Sequence, residues 1–410
     1  MSGATIVSCF INLNDKVNKS LDWYISKGKE LLNVDANMIF YVDEMTYPLI
    51  KPLRNRENTH FILMNLQDLP FYKYKDTITK NRIGKSMYIS SRNTPDYFIL
   101  VASKLEMLKR AAVLNPFDSS HFIWIDFGIF GQQYTQKGMI EEVLCGVRDK
   151  FSCCYIHYRP KSFIKSYHQM DYCGIAAGVL SGNIKYITEV YNLFKNKFIE
   201  LVSSGKGHSE EQILTEIQCD NPDLFEVYYG DYCSIISNYV IPKHSISSIL
   251  KNFIINARAD ANNFLAYSAC KQVDYSMSQG HAKLSNEEKI TFYDEYFITA
   301  WYVSRQDCLK IIHQLNDEMA KSEELCKLFS EKLDHLTNNL DFIIHLLDPK
   351  KNVKVTGSIS EDKIRELISE GYRVFLYTED VAISEKYLLI NNPIVRPNTK
   401  IKNIEYDLIL

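Results

Sequence analysis

Trp124-Ile-Asp126-Phe-Gly128 is the segment of this chain best suited to carry chemistry. The apolar run Phe122 to Ile125 leads straight into Asp126, as when a buried strand emerges at its carboxyl end. A carboxylate there suits a divalent cation held against phosphate oxygens, because hard cations take oxygen ligands. Such an ion would neutralise charge on a departing diphosphate. Gly128 lets the backbone turn or lets a ligand come close. The plainer alternative is an aspartate that caps the following turn.

Other chemically useful groups fall where strands are expected to end. In an open parallel sheet, ligands bind beyond those carboxyl ends. Asp43 and Glu44 follow one apolar run and Arg159 follows another. Arg54, Arg56, Lys85 and Lys104 are candidate partners for a diphosphate, arginine as a bidentate fork and lysine as a point charge. The common alternative for each is solvated surface charge. Gly207-His208-Ser209-Glu210-Glu211-Gln212 is the second constellation. Ser209 and Gln212 have capping-box spacing, which sets both glutamates in a first helical turn. The functional reading makes one glutamate a base or a ligand for sugar hydroxyls. His208 and His244 are candidate metal ligands. Gly174, Gly178 and Gly182 recur every four residues, which is not a dinucleotide fingerprint. No P-loop, HExxH, GxSxG or kinase signature occurs.

These residues need elements to hold them. Buried strands are expected at 4–11, 38–44, 59–63, 121–125 and 153–158, with helices at 19–33 and 97–114 between them; the strand–helix–strand order predicts a parallel sheet. Asn115-Pro116 ends the second helix. A short strand and turn are expected at 172–182, helices at 184–203 and from Ser209, and a last strand at 224–229. Helical periodicity then dominates at 246–257, 262–278, 286–302, 305–318 and 321–346. A small α/β unit follows, with Val353 to Thr356, a helix at 361–370 and Arg373 to Tyr377. The expected organisation is therefore 1–245, 246–348 and 349–410.

Composition sets outer limits. A chain of 410 residues exceeds one ordinary core. A net charge of -3 gives no electrostatic case for nucleic-acid binding. Ten scattered cysteines without a CxxC pair fit a reducing compartment. No signal peptide and no apolar run of membrane-spanning length is seen, so a cytoplasmic protein is expected.

The segments resemble the HtrL/YibB family. The likeness runs in order through Thr5-Ile-Val-Ser-Cys-Phe10, Arg54 to Ile62, Ser103-Lys104, Asn115-Pro-Phe117, Phe122 to Gly128, Gly174 to Gly182, Glu210-Glu211 and Asn221 to Phe225. It implies a GT-A-like Rossmann-type mixed sheet flanked by helices, and a glycosyltransferase moving a sugar from a nucleotide-sugar donor, a UDP-sugar by preference. The acceptor would be a glycan, a protein or a small molecule. Donor contacts then fall to Phe10, Asp43, Arg54, Arg56, Lys104, Trp124, Asp126 and Gly128; sugar or acceptor contacts to Arg159, Gly178 and His208; catalysis to Asp126 with Glu210 or Glu211. Mn2+ or Mg2+ is the implied cofactor, with Asp126 and His244 as candidate ligands. Gly128, however, stands where the last acid of a DxD motif would be, which puts that metal in doubt. Three other readings stay open: a binding protein without turnover, a dehydrogenase lacking its glycine fingerprint, and a helical stretch 246–348 that serves homodimerisation or acceptor docking.

Overall fold

A computed structural model describes residues 3–13, 19–82, 94–160, 173–206, 209–304, 306–321, 352–356, 373–377 and 408–409. The chain forms two compact units, Met1–Leu284 and Ser285–Leu410.

The first unit is built on a seven-stranded mixed sheet, and the expected α/β class holds. Its strands are β1 (Ala4–Phe10), β2 (Met38–Val42), β3 (Thr59–Leu63), β4 (His121–Ile125), β5 (Ser152–Tyr155), β6 (Ile175–Asn183) and β7 (Tyr228–Tyr229), in the order β3-β2-β1-β4-β6-β5-β7. β1 pairs parallel with β2 and β4, and β2 with β3; β6 runs antiparallel to both β4 and β5. The central strands are buried on both faces, which is why they read as continuous apolar runs rather than as an alternation.

Side chains still alternate between the faces. Ile123 and Ile125 of β4 join Ile6, Phe40, Val42, Leu31 and Leu32 in one core, with the latter pair coming from α1 (Leu21–Asn33). Phe122 and Trp124 point to the other face, and Asp126 continues their parity. α1 is opened by Ser20, whose hydroxyl accepts from the Trp23 N–H. A short helix, α2 (Lys75–Arg82), follows β3.

The single helix expected at 97–114 is two helices, α3 (Pro95–Ala102) and α4 (Lys104–Leu114). The break is local. Ser103 turns its hydroxyl back to the Ile99 carbonyl at 2.7 Å, and its N–H is shared by the Ile99 and Leu100 carbonyls. Lys104 thereby becomes the first residue of α4. Asn115 ends that helix in the left-handed region at φ 39°, and its side-chain oxygen accepts from the Ser119 N–H.

The glycine-marked stretch at 172–182 also differs from expectation. It is a central nine-residue strand, β6, with an irregularity against β5. Cys153 pairs with Leu180 while Cys154 pairs with Ala176, so Ala177, Gly178 and Val179 have no opposite residue on β5. This is a bulge, and tertiary pairing on both sides overrides the turn preference of the glycines. Further helices are α5 (Met139–Cys145), α6 (Ile184–Ser203) and α7 (Glu210–Asp220). Asn183 caps α6 by accepting from the Lys185 and Tyr186 N–H groups.

The first unit closes with wide helical turns at Ile249–Ile254 and with α8 (Asn263–Ser278). Gln272 donates to the Val227 carbonyl, Tyr229 to the Leu265 carbonyl and Ser276 to the Pro242 carbonyl. The second unit contains α9 (Asn286–Val303), opened by a Ser285–Glu288 capping box, and α10 (Gln306–Ala320), tied to α9 by Lys289 and Glu318. Its strands β8 (Asn352–Thr356), β9 (Arg373–Tyr377) and β10 (Leu408–Ile409) form a parallel sheet in the order β10-β8-β9. The expected helices at 321–346 and 361–370 lie outside the described residues. No described helix is long and apolar enough to cross a membrane.

Candidate active site

The site forms where β4, the β6 bulge and the starts of α4 and α7 meet. Asp126 leaves β4 on the face of Trp124. Residues two apart on a strand share a face, so the buried Trp124 Nε1–H reaches Asp126 Oδ1 at 2.8 Å. The Asp126 N–H donates to the Gly178 carbonyl at 2.9 Å, which fixes the backbone beneath the carboxylate. The side chain itself is 38% exposed. It is the open acid of the cluster.

Lys104 is the centre of that cluster. It is buried, and its Nζ lies 3.0 Å from Asp126 Oδ1, 3.1 Å from Oδ2, 2.9 Å from Glu210 Oε1 and 3.4 Å from the Ala177 carbonyl. A cation at a helix start opposes the helix dipole; here two carboxylates outweigh it. Burial pulls the ammonium pKa down, but Asp126 and then Glu210 overcome that and hold it well above the ordinary lysine value.

The bulge supplies the remaining polar groups. Because Ala177 has no partner on β5, its N–H is free to donate to Glu211 Oε1 at 3.0 Å while its carbonyl faces Lys104. Glu210 and Glu211 occupy the first turn of α7, where carboxylates are favoured. The expected Ser209 side-chain cap is not made. Instead the two glutamates turn apart, Glu210 to Lys104 and Glu211 to Ala177 and Tyr232. Tyr232 donates to Glu211 Oε2 at 2.7 Å. Burial, then the adjacent Glu210 charge, push the Glu211 carboxyl up to about 7, against the pull of the Ala177 N–H, Tyr232 and Lys104. A carboxyl at that value exchanges protons near neutrality.

Several participants carried no signal in the sequence. Tyr97 of α3 is held well above the ordinary phenol range by burial and then by Glu210. Burial, then Glu211, does the same to Tyr232, whose hydroxyl also contacts Cys173 Sγ. Cys9 of β1 is pushed up to about 12 by burial and then by Asp126, with Asp43 adding to the effect. Only the bulge had a cue, since a glycine inside a strand-like run often marks one.

Expected residues divide clearly. Lys104, Trp124, Asp126, Gly178, Glu210 and Glu211 come together. Arg159 lies within electrostatic reach of His157 and Cys173: burial, then Arg159, lowers the His157 pKa, while burial, then Glu211, raises that of Cys173 against the pull of Arg159. Phe10 is buried against Tyr24 and Phe127, so the structure gives its ring a core role rather than a donor contact. Gly128 has φ -85°, and an added Cβ would lie 3.4 Å from Trp23 and Tyr24, so it faces α1. His208 and Lys85 lie outside the described residues.

Arg54 and Arg56 require correction. Both sit at the amino ends of the strands, opposite the edge that bears Asp126. Arg54 is fully buried; it donates to the carbonyls of Leu32 and Val34 through Nη1, to that of Ala36 through Nη2 and to Thr59 through Nε. Its donors are consumed by three backbone carbonyls and the Thr59 hydroxyl. Arg56 pairs at the surface with Asp35 at 3.4 Å. Neither reaches a diphosphate at the other edge.

A cleft of about 320 Å³ opens beside the carboxyl ends of β1, β2 and β3. Asn12, Asp43, Asn65, Tyr72, Lys75 and Asp96 line it. Asp43 is spent on its own turn, accepting from the Asn12, Met45 and Thr46 N–H groups, so it shapes the rim through a capping role. Lys75 and Asp96 pair across it at 2.7 Å.

Residues 2–239 match the model of the family described as "Bacterial protein of unknown function (HtrL_YibB)". The chain belongs to the HtrL/YibB family. No curated protein matches this HtrL/YibB chain. Among solved structures it is similar to mouse xyloside xylosyltransferase 1 in its apo form, at 14% identity over 55% of this chain and 84% of that one, with a TM-score of 0.32. It is also similar to 4-diphosphocytidyl-2C-methyl-D-erythritol synthase from Anaerococcus prevotii, at 12% identity over 62% and 96% of the two chains, with a TM-score of 0.30. Likeness at this level assigns no activity.

The donor groups of this HtrL/YibB site do not suit a divalent ion. Asp126 shares both oxygens with Lys104 and one with Trp124. His244 stacks on Tyr134 at 4.4 Å, and its backbone is tied to Asn238. Among the described residues no three His, Cys, Asp or Glu side chains are placed to share a metal.

Proposed function

We propose that this chain is a glycosyltransferase acting on a nucleotide-sugar donor, with Asp126 facing the sugar and Glu211 as the base. The observation that carries this reading is the set Asp126, Lys104, Glu210 and Glu211 at the carboxyl edge of the sheet. It combines one open carboxylate, one buried cation and one carboxyl poised near neutrality. The nucleoside would occupy the cleft beyond β1, β2 and β3, and its diphosphate would run towards Lys104.

The chemistry follows from those groups. Glu211 removes the proton of an acceptor hydroxyl, whose oxygen attacks the anomeric carbon. The bond from that carbon to the diphosphate oxygen breaks, and the nucleoside diphosphate leaves with the electron pair. Direct displacement inverts the anomeric centre. Asp126 accepts hydroxyl hydrogens of the sugar and fixes its orientation, while the Lys104 ammonium offsets charge on the leaving group.

A thermal-shift screen of UDP-, GDP-, ADP- and CDP-sugars, followed by assay for nucleoside diphosphate release, tests the reading. A ligand present at a hundredfold its Kd adds about 2.7 kcal/mol of stability, which is readily seen. Stabilisation by one class, with release of its diphosphate and loss of both in Asp126→Asn, is the expected result. NAD(P) binding, or stabilisation by nucleotide sugars without turnover on any acceptor or water, would overturn it.

A further inference from the structure

We infer that Lys104 is the built-in cation of this site and that a divalent ion is not required to bind or cleave the donor. The inference deepens the proposed function and rests on it for the identity of the ligand. Its basis is the position of the ammonium rather than any motif. Lys104 Nζ lies 2.9 to 3.1 Å from oxygens of two carboxylates on different elements, Asp126 after β4 and Glu210 on α7. A protein-held divalent ion uses that same arrangement, oxygen ligands converging from separate elements. The ammonium already fills it.

Three features make that placement hard to exchange. Lys104 is buried, so withdrawing it would leave Glu210, also buried, without its cation. Trp124 donates to Asp126 Oδ1, which fixes the carboxylate plane towards the lysine. The carbonyl of Ala177, turned inwards by the bulge, takes a further ammonium hydrogen. The lysine is thus placed by β4, β6 and α7 together. Gly128 adds no carboxylate and faces Trp23 and Tyr24.

The test uses Mn2+ itself on the metal-stripped full chain, with the electron paramagnetic resonance signal of free Mn2+ as readout. Wild type is expected to show no stoichiometric binding below about 1 mM, weaker than dedicated carboxylate sites. Lys104→Met, which leaves Asp126 and Glu210 facing each other, is expected to bind Mn2+ at least about tenfold more tightly. Wild-type binding tighter than about 100 µM that disappears in Asp126→Asn would overturn the inference. So would a folded Lys104→Met that binds no better than wild type.

A second measurement needs no variant. Donor cleavage by wild type in EDTA is expected to stay within about twofold of the rate with Mn2+. A drop of tenfold or more, restored by Mn2+, sinks the inference and leaves the glycosyltransferase reading standing. Failure to bind or cleave any nucleotide sugar sinks that reading instead, and the Mn2+ titration still decides what cation the acids hold.

Discussion

Two buried cations sit at opposite ends of the same sheet, and they differ in what surrounds them. At the amino end, Arg54 spends its fork on the carbonyls of Leu32, Val34 and Ala36 and on Thr59. At the carboxyl end, Lys104 is shared between Glu210, which is buried, and Asp126, which is open to solvent. Arg54 closes a set of backbone acceptors and leaves nothing for a ligand. Lys104 ends in a carboxylate that still has room for one. Burial of a charge is common to both; only the exposed partner distinguishes a site from a structural clasp. Burial also pulls the Arg54 guanidinium down to about 10, which leaves it charged at neutral pH.

The sharpest way to break this contrast is at Arg54. Arg54→Met keeps the apolar stem but takes the guanidinium from three buried carbonyls, of which that of Val34 keeps the Ala36 N–H. A loss of about 4 kcal/mol is expected, since each unsatisfied buried group costs roughly 1–3 kcal/mol and the loop relaxes in part. Urea unfolding of the first unit would measure it. Donor affinity of the surviving folded fraction is expected to stay near wild type. A stable Arg54→Met that loses donor binding would return Arg54 to the ligand and erase the comparison.

Asp126→Asn should show the reverse pattern. Nucleoside diphosphate release is expected to fall about 10²- to 10³-fold, the range for losing one placed electrostatic group. The thermal midpoint of the free protein should move by less than about 2 °C, because Lys104 keeps Glu210 as a partner. A large fall in midpoint with activity intact would make Asp126 a capping residue.

The sequence contained part of this contrast. Trp124-Ile-Asp126 was legible because hydrophobic runs ending in an acid predict a strand and its carboxyl end. Lys104, Glu210 and Glu211 were legible as candidates, yet their meeting was not. It depends on a helix break at Ser103, set by that residue's own bonds to the preceding turn, and on a bulge at Ala177, set by tertiary pairing. Arg54 was misplaced because residue type does not reveal which end of a sheet a loop serves. Tyr97 and Tyr232 were invisible, since an aromatic residue reads the same in a core as beside an acid.

Glu211→Gln probes the proton that the open end is proposed to move. With Glu211 as base, the rate should rise with pH through about 7 and then level. The variant should lose that limb and about 10²-fold in rate at neutrality, within the usual range for a general base. The stability effect has a definite sign. The folded carboxyl holds its proton more tightly than the unfolded one, so its contribution is fully present at acid pH and is lost as pH rises through about 7. Glu211→Gln should therefore raise the thermal midpoint at pH 8 by roughly 3 °C and change it little near pH 4.5. An unaltered pH profile would remove Glu211 from the chemistry.

Tyr232→Phe carries the smallest effect and the finest distinction. Tyr232 donates to Glu211 Oε2, and that bond lowers the Glu211 pKa against burial. Its loss should carry the midpoint of the rate profile upward by about 0.5 to 1 pH unit, the scale of one hydrogen bond to a charged group. At pH 7 the rate should fall about threefold, because less of the base is ionised, while at pH 9 wild type and variant should agree. A uniform loss at every pH would mean that Tyr232 only packs the site. A downward shift would mean that Glu211 takes its ionised form from elsewhere, and the division of labour at this end of the sheet would have to be redrawn around Ala177 and Lys104.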